Sequence, residues 1–199
     1  MEQVSKSRAW AEINLDAIAH NIQQIRKKVG PSVRVLAVVK ADAYGHGYKG
    51  GAKTLLENGA DAFGVATIDE AIQLRRQKIR VPILILGHTP VSRAQDLVTY
   101  DITPTVFDMA LPKALSGIAG ALGKEARIHI KLDTGMTRLG FDCDDAGLSD
   151  VLAISRLPHV YVEGIFTHFA KADELDKTYT RMQFQKFMEF TDRLKAQGL

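Results

Sequence analysis

The chain has 199 residues, 46% of them hydrophobic and 25% charged, an ordinary globular composition with enough length for one sizeable core. A formal net charge of +3 is too mild to argue for a nucleic-acid partner, and no run of about 18 apolar residues argues for a membrane span. The opening MEQVSKSRAWAEI has no signal-like apolar core and the lone Cys143 has no disulfide partner, so the expected compartment is the cytoplasm.

Asn14 to Val29 sets Leu15, Ile18, Ile22, Ile25 and Val29 at helical spacing and stops at Gly30-Pro31. VRVLAVV (33–39) is a nearly continuous apolar run, which predicts a strand covered on both faces. A helix over 49–58 and a short strand AFGVA (62–66) follow. Thr67 and Glu70 form a capping-box pattern that opens the next helix, and Arg75, Arg76, Lys78 and Arg80 read as its solvated basic end. VPILIL (81–86) is a strand, Thr89-Pro90 opens a helix to about Tyr100, and ITPTVF (102–107) is a strand weakened by Pro104. Residues 108–123 are helical in composition despite Pro112, ARIHIKLD (126–133) is a strand, and a helix near 145–156 stops at Pro158. VYVEGIFTHF (160–169) is the sixth strand, and Phe184, Phe187, Met188, Thr191 and Leu194 mark an amphipathic last helix.

Six βα units predict a parallel sheet with crossover helices. An open doubly-wound sheet fits the count, whereas a (β/α)8 barrel wants eight strands and about 250 residues. The dinucleotide-binding version of the open sheet needs G-x-G-x-x-G after its first strand, and K-A-D-A-Y-G-H-G brings its glycines too late.

Strand ends carry the chemistry. In ARIHIKLD, alternation puts Arg127, His129, Lys131 and Asp133 on one side, which suits a barrel interior or, equally, a wet face on an edge strand. Lys40, Asp133, Arg138 and His168 all follow the carboxyl ends of predicted strands, where both architectures place ligands. Position alone would let Lys40 snorkel into solvent. A desolvated amine also forms Schiff bases, Tyr44 offers a phenol to a phosphate oxygen, and Gly45 and Gly47 let backbone approach a ligand.

AVVKADAYGHG (37–47), KLDTGMTRLG (131–140) and GIFTHFAKADE (164–174) together resemble the pyridoxal-phosphate-dependent alanine racemases, over essentially the whole chain. The resemblance implies an α/β fold of the (β/α)8 TIM-type barrel class, present as about six βα units. Residues 1–199 are then the N-terminal portion of the barrel domain, without the family's C-terminal β domain. It implies pyridoxal 5'-phosphate as cofactor, held by Lys40 as an internal aldimine, with Lys40 also one of two catalytic bases. Tyr44 is implied as the phosphate-binding tyrosine, Arg138 as the contact of cofactor phenolate and substrate carboxylate, and His168 as the neighbour of the pyridine ring. Lys131 matches a lysine that many members carry carbamylated. Asp42, His46 and Asp133 are assigned no chemical step, and no metal is expected, since His20, His88 and His159 lack ligand spacing.

The implied reaction interconverts L- and D-alanine, with serine or another small amino acid as an open alternative. The implied second base is a tyrosine from the partner's C-terminal domain, and the family's arginine at the pyridine nitrogen falls beyond Leu199. The chain alone is therefore expected to be inactive or weakly active. The resemblance implies a homodimer for the full-length protein and leaves that of this chain open. Two other readings stand: a non-catalytic pyridoxal-phosphate homeostasis protein, and an amino-acid decarboxylase or dehydratase of the same fold group.

Overall fold

The computed structural model describes residues 8–199. Helix α1 (Leu15–Val29) starts where the Asn14 side chain accepts the Ala17 N–H and ends at Gly30, whose φ of 78° suits glycine. The sheet then builds through β1 (Leu36–Val38), β2 (Ala62–Val65), β3 (Ile83–Ile85), β4 (Thr103–Val106) and β5 (Ala126–Asp133). Between them run α2 (Lys40–Tyr44), α3 (Lys53–Glu57), α4 (Ile68–Arg76), α5 (Ala94–Tyr100) and α6 (Ala110–Ala121). Beyond β5 come β6 (Phe141–Asp142), α7 (Asp145–Ser155), β7 (Val160–Phe166) and α8 (Thr178–Ala196).

Every strand pairing is parallel, and the main order is β1-β2-β3-β4-β5-β7, with the two-residue β6 hung on the end of β5. A monotonic order is that of a (β/α)8 barrel, here as six units. A doubly-wound sheet would reverse direction at a switch point. The core is one continuous cluster in which Phe63, Ile83, Ile85, Ile128, Ile130 and Leu132 from the strands meet Leu74, Leu97, Leu115, Ile154 and Phe190 from the helices.

Several expectations change. The 33–39 run is a strand only over Leu36–Val38 and is not covered on both faces: among the described strands β1 pairs with β2 alone, and Val38 is 39% exposed. Of the α1 stripe only Ile22 is buried, with Leu15, Ile25 and Val29 exposed. Pro104 does not demote its strand: β4 is buried throughout between β3 and β5. Beside the missing proline N–H, the Thr105 hydroxyl donates to the Ile85 carbonyl at 2.6 Å and restores a tie to β3. Arg75 is no solvated helix end, since its guanidinium donates to the carbonyls of Ile79, Val81, Tyr100 and Asp101.

The last helix turns a different face inward. Gln183, Phe190 and Leu194 are buried and Phe187 is half-buried, while Phe184 and Met188 face outward. A glutamine at the head of the 183, 187, 190, 194 stripe hid its helical period behind the more apolar neighbouring positions.

Candidate active site

Lys40 follows β1 directly, and its setting is unusual. Val39 is fully buried, with its N–H on the Gly64 carbonyl at 2.8 Å. Ala41, Asp42, Ala43 and Tyr44 then all take φ between 51° and 56°, so α2 is a single left-handed turn. Each such non-glycine residue costs about 1–2 kcal/mol, and a run of them persists only when its surroundings hold it.

The holding bonds are local. Ala43 N–H reaches the Val39 carbonyl at 2.8 Å, Gly45 N–H the Ala41 carbonyl at 3.0 Å, and Gly47 N–H the Asp42 carbonyl at 2.9 Å. The Asp42 carboxylate accepts the Tyr48 N–H at 2.8 Å, and the buried Tyr48 hydroxyl accepts the Asp42 N–H at 3.3 Å. Asp42 therefore shapes the turn. Gly45 and Gly47 both sit at φ 84°, so they continue a left-handed path that a side chain would strain. The result is that Lys40 and Tyr44 both stand exposed, with the Lys40 Nζ 5.9 Å from the Tyr44 ring centroid.

The second wall comes from β5. Its polar side points into the barrel, as Lys131 is only 4% exposed, donates from Nζ to the Leu132 carbonyl at 2.9 Å, and lies 5.4 Å from the Phe166 ring centroid. Burial pushes the Lys131 ammonium pKa down; the Asp133 carboxylate opposes that and Arg138 adds to it. Burial would raise the Asp133 carboxyl, but the N–H groups of Thr137 and Gly135 and the charge of Lys131 prevail and hold it low. Asp133 thereby folds the loop that presents Arg138, which is exposed.

The third wall is the segment after β7. His168 is exposed, yet partial desolvation lowers its pKa, and the positive charges of Arg138, Lys131 and Lys40 lower it further. Gln183, completely buried on α8, pins these loops together. Its Nε2 donates to the Thr134 hydroxyl and the His168 carbonyl, each at 3.2 Å, and its Oε1 accepts the Ala170 N–H at 2.9 Å. Sequence reasoning missed Gln183; the only signal was a polar residue at the head of a helical stripe. All five of Lys40, Tyr44, Lys131, Arg138 and His168 lie at the carboxyl ends of strands, and the structure brings them to the same end of the barrel.

The depressed His168 gives a direct expectation. Its folded pKa lies below the unfolded value of about 6.5, so the unfolded chain binds more protons and stability falls as pH drops from about 6.5 toward the folded pKa. An NMR titration should find His168 below 6.5, and Arg138→Met should raise it. A His168 titrating at or above the free value would show that these charges do not converge.

Residues 13–199 match the model of the alanine racemase N-terminal domain. The chain belongs to the alanine racemase family. It is 49% identical to the alanine racemase of Desulforamulus reducens over 194 residues, covering 98% of this chain and 52% of that protein. Against the alanine racemase of Clostridium perfringens SM101 the identity is 51% over 190 residues, covering 96% and 49%. An alanine racemase of Clostridium difficile 630 in complex with cycloserine superposes with a TM-score of 0.95 at 37% identity, over 98% of this chain and 54% of that one. The Bacillus anthracis alanine racemase with bound L-Ala-P gives 0.89 at 36% identity, over 96% and 49%. This racemase-family chain thus spans about half the length of the relatives it matches. Among its described residues no helix is long and apolar enough to cross a membrane.

Proposed function

We propose that this chain is the barrel portion of a cytoplasmic, pyridoxal-phosphate-dependent racemase that interconverts L- and D-alanine, with Lys40 as cofactor anchor and base. What carries the reading is the placement of Lys40, Lys131, Arg138 and His168 at the carboxyl ends of parallel strands, where the three cations lower the His168 pKa. The residues fit the cofactor. Among the described residues the Lys40 amine has no hydrogen-bond or ion-pair partner, leaving it open to an aldehyde, and the surrounding cations suit a phosphate and a phenolate.

When bound, pyridoxal phosphate supplies an electron-accepting ring that makes the α-proton of an attached amino acid labile. Lys40 takes or returns that proton at Cα on the face from which it projects. Tyr44, on the same turn, binds the phosphate end, and the planar Arg138 fork orients phenolate and substrate carboxylate. His168, whose protonation is disfavoured by desolvation and by the charges around it, packs beside the ring. Carbamylation of Lys131 would turn its repulsion of Arg138 into attraction, and its lowered pKa supports reaction of the free amine with carbon dioxide.

Racemisation needs a group on each face, and Lys40 serves one. We assign the second base to residues outside 1–199, from the partner subunit of a homodimer. The exposed Ile25 and Val38, which line one hollow beside β1, support further covering structure in the whole enzyme.

The test is exchange of the alanine α-proton in deuterated water with added cofactor. Exchange from one enantiomer needs only the Lys40 face, so this chain should incorporate deuterium without releasing carbon dioxide or ammonia. Release of either would favour the decarboxylase or dehydratase, and a retained cofactor with no exchange would favour the homeostasis protein.

A further inference from the structure

Glu70, in the first turn of α4, makes more contacts than a capping residue needs. In a capping box the glutamate reaches back to the N-cap N–H while the N-cap side chain accepts the glutamate's own N–H. Both bonds are present, Thr67 N–H to Glu70 Oε2 at 3.3 Å and Glu70 N–H to Thr67 Oγ at 3.4 Å. The same Oε2 also accepts the Ala66 N–H at 2.7 Å, at the end of β2. The other oxygen, Oε1, leaves the helix and accepts the Ala41 N–H at 2.7 Å, on the residue after Lys40.

Ala41 is where the chain enters the left-handed turn, and among the described residues its N–H finds no acceptor within that turn. The bond from Glu70 is charge-assisted and spans two βα units, so it ties the direction in which Lys40 leaves β1 to the end of β2. Ala41 is exposed, so water can replace the carboxylate if it is removed. The chain therefore folds without this bond, and what is lost is the fixed orientation of the turn.

We infer that Glu70 is a positioning residue that holds the left-handed turn so that Lys40 and Tyr44 face the cofactor together. The inference rests on the racemase reading of Lys40. An amide cannot substitute: glutamine has one acceptor oxygen, so Glu70→Gln keeps either the Ala41 bond or the cap, and turns a donor toward a donor at the other. Thr67→Ala supplies the control, because it weakens the cap of α4 and leaves the Ala41 bond intact.

The experiment compares wild type, E70Q and T67A in the full chain by three readouts. These are the melting temperature, the hydrogen-exchange rate of the Ala41 amide without cofactor, and the pyridoxal phosphate concentration that half-saturates borohydride-trapped label on Lys40. Both variants should melt lower than wild type. Only E70Q should speed Ala41 exchange and raise the half-saturating concentration, each by about 10-fold, the range of one charge-assisted hydrogen bond. Unchanged exchange and trapping in E70Q, or equal changes in T67A, would overturn the inference. Wild-type chain that traps nothing on Lys40 would instead sink the racemase reading, and the role of Glu70 with it.

Discussion

Gly140→Ala should be among the most damaging single substitutions near the site, costing about 4 kcal/mol or more. Gly140 sits at φ 137°, and a Cβ there would lie 2.6 Å from the Leu132 carbonyl carbon and against the Asp133 nitrogen. Those are backbone atoms of β5, which cannot rotate aside. The pairs Leu132 with Phe141 and Asp133 with Asp142 would have to part. Asp133 would then lose the geometry by which it accepts the Gly135 and Thr137 N–H groups and shapes the Arg138 loop. By thermal unfolding the melting temperature should drop by about 8–16 °C, with cofactor capture falling as well. Gly117→Ala is the counterpart: it lies within α6 with nothing within 4 Å of the added methyl. There the same change should stabilise by about 0.5–1 kcal/mol through helix propensity. A Gly140→Ala protein that melts like wild type would contradict the close approach of the 140 loop to β5.

Lys131→Met should raise stability while removing function. Lys131 is buried, its Nζ bonds only a neighbouring carbonyl among the described residues, and burial depresses its ammonium pKa. Between the folded pKa and the unfolded value of about 10.4 the unfolded chain binds more protons, so stability rises with pH through that window. Below the folded pKa the full penalty of the buried charge applies. Methionine fills a similar volume with no charge to desolvate, so the variant should gain about 1–3 kcal/mol at neutral pH. The gain should shrink as pH rises toward about 10.4. Chemical denaturation at several pH values reads both the size and the trend. A gain that is absent at neutral pH, or that grows with pH, would contradict the buried ammonium. Carbon dioxide should stabilise the wild type and leave the methionine variant unchanged, since only the wild type has a buried amine at position 131 to carbamylate.

Much of this barrel was legible in the residues, for identifiable reasons. Some helices are bounded by a local signal that acts within a few residues: Gly30 ends α1, and the Thr67 and Glu70 box opens α4. The polar side of ARIHIKLD left an interior strand and a wet edge strand equally open, and the pairing of β5 with both β4 and β7 decides for the interior. What stayed hidden depends on distant partners. The exposure of β1 follows from the absence of a second neighbour among the described strands, which no local pattern encodes. The left-handed turn over Ala41 to Tyr44 runs against the preference of each of its non-glycine residues, and it stands because Tyr48, Asp42 and Glu70 outvote them. β6 is two residues long and was invisible as a strand. Lys40, Arg138 and His168 were named from three separate motifs, and their convergence needed the sheet order to bring the first, fifth and seventh strands to one end.

Lys40 is proposed above as the anchor for an aldehyde cofactor. The direct measurement is to incubate the chain with pyridoxal phosphate, reduce with borohydride and map the modified lysine by peptide mass spectrometry, with Lys40→Ala as control. Lys40 is exposed and among the described residues makes no hydrogen bond or ion pair, so the variant should melt as wild type does. Label should be confined to Lys40 in the wild type and absent from the variant. Label spread over surface lysines, or equal label with and without Lys40, would contradict it.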